Sequence, residues 1–376
     1  MSGICGIIHP SATPNLEDLA RTRAALSLPG DRDLQPCIHG SAAMGVAQRW
    51  DFQEMSLSSN ILVAIDADLV NVESLAADVS GHSDRKHLGG TADLIRELYL
   101  RHGLDFVNLL EGNFSLAIWD GNNHRLLLAI DAFAAKNLYW SSDHGLLIFA
   151  SRVSAVRNGQ RERAEVSESA LAQFLIFSAV PAPLSIYRGI HRLEPGHLLI
   201  YENRQIKTRR YWDIDYVETK NRTEQSWEAE LRRAIRSATH RTLGGCEPER
   251  TGAYLSGGTD SSSVVAFMSE RYPSVNTFSI AFGEAKYNEI EYARTTANQF
   301  GARHSEYVVT AQDAIDAIPK LNSYFDEPFA NSSAIGAYYC ARMAREKGID
   351  VLLAGDGGDE IFAGNQRYAD DKRFQI

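Results

Sequence analysis

The sequence predicts two folds in series: an α+β first half of stacked antiparallel sheets, then an α/β second half with a mostly parallel sheet. Three observations predict this. Short apolar strands broken by turns fill the first half, whereas strands alternate with longer helices in the second. Near the middle, the strand Ala253–Leu255 runs into a Ser-Gly-Gly loop and a polar helix start. At 376 residues the chain is long enough for two domains, each with its own core.

In the first half, Gly3–Ile8 and Ile61–Ile65 are apolar runs. Phe114–Trp119 and Leu126–Ile130 flank Asp120-Gly121-Asn122-Asn123, a hairpin turn. Leu146–Ala150 is a strand after the turn at Ser142-Asp143-His144-Gly145. A helix over Ala92–Arg101 places Leu94, Ile95, Leu98 and Tyr99 on one face and stops at Gly103. Asn158–Arg163 reads as a surface connection, Ser167–Phe177 as a helix before Pro181-Ala182-Pro183, and Leu198–Tyr201 as a strand. Many hairpins and few helices imply stacked sheets with helices outside. Polar Glu218–Gln225 reads as a linker, which gives domains over 1–215 and 222–376.

The second half reads as helix Trp227–His240, strand Ala253–Leu255, a helix through Glu270, strand Thr277–Phe282 and helix Glu289–Phe300. Strand Ser305–Val309, helix Ala334–Glu346 and strand Val351–Ala354 follow. Such alternation implies a parallel sheet with ligands at the strand C-terminal ends.

Composition narrows the function classes. A net charge of −10 argues against an extended nucleic-acid interface, and no apolar run approaches the length of a membrane span. Cys5, Cys37, Cys246 and Cys340 have neither metal-ligand nor disulfide spacing, so a reducing cytoplasm is the expected compartment.

The loop Ser256-Gly257-Gly258-Thr259-Asp260-Ser261-Ser262 is suited to pyrophosphate. Adjacent glycines let backbone N–H groups converge on an anion, and the following helix points its positive end at the same charge. Ser256, Ser261 and Ser262 carry hydroxyl donors, while Asp260 offers a hard oxygen to magnesium. No Lys follows the glycines, which excludes a Walker-type grip. A second strand, Val351–Ala354, enters the acidic loop Gly355-Asp356-Gly357-Gly358-Asp359-Glu360, whose three carboxylates call for a cation. Side by side, the two loops would set Asp260 and Asp359 across one magnesium–pyrophosphate.

The first loop resembles the PP-loop of ATP pyrophosphatases. With Asp326-Glu327-Pro328-Phe329, the acidic loop, Gly3-Ile4-Cys5-Gly6-Ile7, Gly112-Asn113-Phe114, Leu193-Glu194-Pro195-Gly196-His197 and Tyr211-Trp212, the chain resembles the asparagine synthetase family nearly throughout. That resemblance implies an N-terminal-nucleophile glutaminase domain followed by an ATP-dependent amide-forming domain using ATP and Mg²⁺. It implies adenine-nucleotide contacts from Leu255, Ile280, Ala354 and Gly355, and a pyrophosphate cradle over Ser256–Ser262. Magnesium ligation would fall to Asp260 and Asp359, and support of acyl-adenylate formation to Asp356. Its substrates would be a small-molecule carboxylate, aspartate by default, and ammonia or an amine.

The chain departs from the family pattern in its first half. Ser2 stands where the nucleophilic Cys is expected, and serine is far less nucleophilic near neutral pH. Cys5, inside an apolar strand, reads as structural. Asp66-Ala67-Asp68-Leu69-Val70-Asn71 replaces the Asn-Gly-Glu oxyanion and substrate motif, setting a carboxylate where a donor is needed. Thr91 replaces an Asp, and Arg49 keeps the place of the carboxylate-binding Arg. Loss of glutamine hydrolysis is therefore expected. In the second half, Asp356 replaces Glu, Ala354 replaces Ser, and Asn288 and Asn331 stand where Asp is frequent. Family members generally continue beyond Asn365-Gln366-Arg367-Tyr368, so the expectation is a fragment, a chain completed by a homodimeric or other partner, or weakened adenylation. Two alternatives to the ligase reading stay open: a specialised amide ligase of β-lactam or lasso-peptide type, and a catalytically weak nucleotide-binding scaffold.

Overall fold

Strands that are apolar at every position must be covered on both faces, and this dictates the layering of the first unit. The computed structural model describes residues 3–9, 12–80, 89–143, 145–162, 164–217, 219, 222–283, 290–362, 364, 368 and 370. Ser2, Asn288 and Asn365–Arg367 lie outside them. The chain divides into unit 1, Met1–Tyr216 with Tyr324–Ala330, and unit 2, Val217–Ser323 with Asn331–Ile376.

Unit 1 begins with β1 (Gly3–Ile8), α1 (Leu16–Ala24), β2 (Arg32–Asp33), β3 (Cys37–His39), β4 (Ala42–Gln48), β5 (Gln53–Ser58) and β6 (Ile61–Leu69). Next come α2 (Val72–Ser80), α3 (Thr91–His102), β7 (Gly112–Asp120), β8 (Arg125–Ile130), β9 (Tyr139–Asp143) and β10 (Leu146–Ala150). It continues through α4 (Val153–Gly159), α5 (Glu168–Phe177), β11 (His191–Arg192), β12 (His197–Glu202) and β13 (Gln205–Arg210). One antiparallel sheet runs β11-β9-β10-β1-β4-β2, with β3 also on β4; the other runs β13-β12-β8-β7-β6-β5.

Alternation along each strand builds the layers. Ile4 and Ile8 of β1 meet Leu62 and Ala64 of β6 and Trp119 of β7 between the sheets. Cys5 and Ile7 face the other way, onto Leu19 of α1 and Val153 and Val156 of α4. Ile61, Val63 and Ile65 pack outward on Leu94, Ile95 and Leu98 of α3. Each such fully buried aliphatic side chain stabilises the fold by about 1.5–3 kcal/mol. The expected class is therefore borne out, but the helices are more numerous than the sequence suggested. The predicted surface connection at Asn158–Arg163 is corrected in its first part: α4 extends to Gly159, which is buried. The reading Glu218–Gln225 as linker is also corrected, because the Thr223 hydroxyl accepts the Ser226 N–H and caps a helix starting at Glu224.

Unit 2 comprises α6 (Glu224–Thr242), β14 (Thr251–Tyr254), α7 (Thr259–Ser269), β15 (Asn276–Phe282), α8 (Ile290–Gln299) and β16 (Arg303–Val309). It is completed by α9 (Ala311–Tyr324, its last residue in unit 1), α10 (Ser333–Glu346), β17 (Val351–Leu353) and α11 (Gly358–Phe362). The sheet order is β16-β15-β14-β17, and all three pairings are parallel. Ala253 and Leu255 pack with Val265 and Met268 of α7 and Ala293 of α8 on one face. Phe278 packs with Cys340, Met343 and Ala344 of α10 on the other. Burial pushes the Cys340 thiol up to about 12, so it is an inert core residue. No helix among the described residues is long and apolar enough to cross a membrane.

Candidate active site

The chain leaves β14 toward β15 and β16, then returns to place β17 on the other side of β14. The strand order thus reverses between β14 and β17, and ligands of open parallel sheets bind at such a reversal. Both glycine loops project from these two strands, whose register pairs Thr251 with Val351 and Ala253 with Leu353. The loops touch. A Cβ on Gly355 would lie 2.8 Å from the Ser261 nitrogen and 2.9 Å from the Asp260 carbonyl carbon. A Cβ on Gly358 would overlap the Asp260 carboxylate. Gly257, at φ +88°, would put a Cβ 2.5 Å from the Ala293 nitrogen, so no other residue fits where the loop passes over α8.

Hydroxyls brace the first loop from inside. Ser261 is buried; its Oγ lies 3.0 Å from Ser256 Oγ and donates to the Gly258 carbonyl at 3.3 Å. Ser256 Oγ accepts the Gly258 N–H at 3.2 Å, and Ser262 Oγ pairs with Thr296 Oγ1 of α8 at 3.0 Å. These serines brace the loop's own backbone, whereas the sequence reading had given them only direct donation to a phosphate. The first-turn N–H groups of Thr259 and Asp260 have no helix carbonyl to satisfy them. Leu255 is buried, and its N–H donates to the Phe278 carbonyl at 3.0 Å. Ile280 lies under Gly336 of α10. Ala354 and Asp356 are exposed at the end of β17.

Asp260 and Asp359 supply hard oxygens of the kind magnesium takes, and the glycines opposite them leave room. Asp260 abuts Gly358, whereas Asp359 turns Oδ1 toward Gly364. Among the described residues no cluster of three or more His, Cys, Asp or Glu side chains is arranged for a metal. Phosphate oxygens would have to complete the ion's shell.

The start of β1 in unit 1 has a different chemistry. A Cβ on Gly3 would lie beside the Ser151 side chain and 3.7 Å from Asp66 Oδ2. Asp66 is buried, accepts Gln53 Nε2–H at 3.0 Å, and pairs with Lys136 Nζ at 2.9 Å. The turn carrying Lys136 is wound around Asp131, whose carboxylate accepts N–H groups of Phe133, Ala135 and Lys136 at 3.0 Å each. Sequence reasoning missed Lys136, whose partner Asp66 lies far back along the chain. Arg49 lies in the bend after β4. Its Nε donates to Asp31 at 2.7 Å and its Nη2 to the Pro29 carbonyl at 2.9 Å. Cys5 is fully buried. Asn71 bridges Leu109 and Glu111 backbone groups.

Residues 1–212 match the glutamine amidotransferase domain model, and residues 230–375 match the asparagine synthase model. The chain carries a glutamine amidotransferase domain, which takes up more than half of it, followed by an asparagine synthase domain. Glutamine-hydrolyzing asparagine synthetase 1 of Bacillus subtilis is 27% identical over 307 residues, covering 81% of this chain and 48% of the relative. Glutamine-hydrolyzing asparagine synthetase 3 of the same organism is 24% identical, over 80% of this chain and 51% of the relative. Amidase chyE of Penicillium rubens is 28% identical, over 75% and 44%. The chain thus spans about half the length of these curated relatives. Among solved structures, a B. subtilis glutamine phosphoribosylpyrophosphate amidotransferase aligns over 94% of this chain and 80% of its own, at 12% identity and a TM-score of 0.40.

Proposed function

We propose that the protein is an ATP-dependent amide-forming ligase that adenylates a small-molecule carboxylate. The observation that carries this reading is the contact between the two loops at the point of strand reversal: Gly355 packs on the backbone of Asp260 and Ser261. The substrate carboxylate oxygen attacks the α-phosphorus of ATP, and the bond to the β-phosphate breaks. An acyl-adenylate and pyrophosphate result; an amine then displaces AMP from the acyl carbon. Backbone N–H groups of Thr259 and Asp260, with exposed Ser256, hold the departing pyrophosphate. Asp260 and Asp359 would hold magnesium, which supplies charge neutralisation on the phosphates. Asp356, exposed at the end of β17, would support formation of the acyl-adenylate. Aspartate is the most economical acid.

ATP–pyrophosphate exchange with a panel of carboxylic acids, aspartate included, tests this. Exchange that requires one of the acids is expected. Binding of ATP without exchange for any acid would favour a nucleotide-binding scaffold instead.

The nitrogen source is read from unit 1. Where a tetrahedral oxyanion needs hydrogen-bond donors, the protein presents Asp66 already paired with Lys136. Free ammonia or a substrate amine therefore serves as nucleophile, which also suits a specialised amide ligase. Incubation with glutamine should yield no glutamate above the enzyme-free rate. Rapid release that disappears in Ser2→Ala would refute this part of the account.

A further inference from the structure

Carboxylates buried in unit 1 are compensated in different ways. Asp326, on the segment Tyr324–Ala330 that belongs to this unit, is closed in together with its partner: the Arg152 and Asp326 side chains are 8% and 9% exposed. Asp326 Oδ1 accepts Arg152 Nη2–H at 3.1 Å, and Oδ2 accepts the Ser154 N–H at 2.9 Å in the first turn of α4. Its neighbour Glu327 accepts the Ile186 N–H at 2.7 Å and the Tyr139 hydroxyl at 2.8 Å. Asp66 is enclosed on its own side alone. Its side chain is 5% exposed, whereas that of its counter-ion Lys136 is 26% exposed.

The Asp66 carboxylate is held independently of the lysine. Gln53, itself buried, donates Nε2–H to Asp66 Oδ2 at 3.0 Å, while its Oε1 accepts the N–H groups of Arg49 and Trp50 at 2.7 and 3.1 Å. Asp66 Oδ1 accepts no hydrogen bond among the described residues, so the ammonium 2.9 Å away is its compensation there. The same ammonium stands 5.0 Å from the centroid of the Phe52 ring, on which Trp50 stacks at 6.3 Å. A carboxylate and an aromatic face are the two features that recognise a primary ammonium group. The turn that delivers Lys136 is strained. Ala134 has φ +51°, in the left-handed region, while the Asp131 carboxylate gathers the N–H groups of Phe133 and Ala135 on either side.

We propose that Asp66 and Phe52 form a binding site for a primary ammonium group, and that Lys136 is its tethered occupant. A free amine or amino acid would have to displace a group that the chain itself keeps at high effective concentration. The site stands on the geometry of unit 1 and does not depend on which acid or nitrogen donor the ligase uses.

Lys136→Ala deletes a propylammonium fragment, so n-propylammonium is the probe. In the full chain this variant should unfold at least about 5 °C below wild type, because a buried carboxylate is left unpaired. n-Propylammonium chloride should raise its melting temperature with concentration, as a ligand of the folded state does, and recover about half of the loss. n-Propanol, which has the same chain without the charge, and sodium chloride at equal ionic strength should recover none. Wild type, its site filled, should gain nothing from the ammonium. Neither should Asp66→Asn/Lys136→Ala, which has no charge to match. Labelling of the wild type gives a reading that a poorly folding variant cannot obscure. Lys136 should undergo reductive methylation about tenfold more slowly than exposed Lys207, since a carboxylate partner keeps its amine protonated. Equal labelling of the two lysines would overturn the proposal. So would a Lys136→Ala melting temperature that propylammonium leaves unmoved, or a rise of the same size in the double variant.

Discussion

Asp260→Ala should lower carboxylate-dependent ATP–pyrophosphate exchange by about a thousandfold while leaving thermal unfolding nearly unchanged. Removing one preorganised group that stabilises developing charge costs enzymes about 10²–10³ in rate, or about 3–4 kcal/mol. Structurally the residue carries little. It lies in the first turn of α7, where an acidic side chain contributes about 0.3–1 kcal/mol through the helix dipole. The two numbers differ enough that exchange rate and melting temperature, measured together, separate chemistry from folding. Exchange within a fewfold of wild type would remove Asp260 from the reacting charges.

Gly355→Ala tests the contact between the loops. The added methyl would meet the Ser261 nitrogen and the Asp260 carbonyl carbon and Cβ, all within 2.9 Å. None of these is the free end of a flexible side chain. The Ser261 hydroxyl is tied to Ser256 and Gly258, so the α7 terminus has no room to retreat. Overpacking of this kind costs about 1–3 kcal/mol, and it acts at the backbone proposed to hold pyrophosphate. ATP affinity should fall by more than about tenfold, measured by calorimetry. Gly283→Ala is the matched control: among the described residues nothing lies within 4 Å of its Cβ position, and ATP affinity should not change. Equal affinity for both variants would mean that the two loops do not share a ligand.

Much of this arrangement is legible in the sequence because glycine and carboxylate side chains mark their own positions. Two strands each ending in a glycine-acid loop suffice to predict neighbouring tips in a parallel sheet, and β14 and β17 are neighbours. Strand alternation likewise predicts stacked sheets in unit 1. What could not be read has physical causes. Helix α9 carries Pro319 inside it, which removes an N–H and reads as a break. Helices α1, α2 and α4 have nine, nine and seven residues, too few turns for a clear period. The Lys136–Asp66 pair depends on a turn wound around Asp131, and no local spacing announces which strand a turn will face. Asp326-Glu327 reads as one more motif of the second half, because partners such as Arg152 and Tyr139 lie far back along the chain.

That distance has a consequence for synthesis. Ser154 and Tyr139 are 172 and 188 residues from the carboxylates that accept their hydrogen bonds. A nascent chain that has passed Tyr216 therefore holds every strand of unit 1 but not its last buried counter-charge. Until Asp326 emerges from the ribosome, the first turn of α4 and the Arg152 guanidinium must wait in water. Unit 1 thus completes its fold only after translation has run more than a hundred residues past Tyr216, through Glu327.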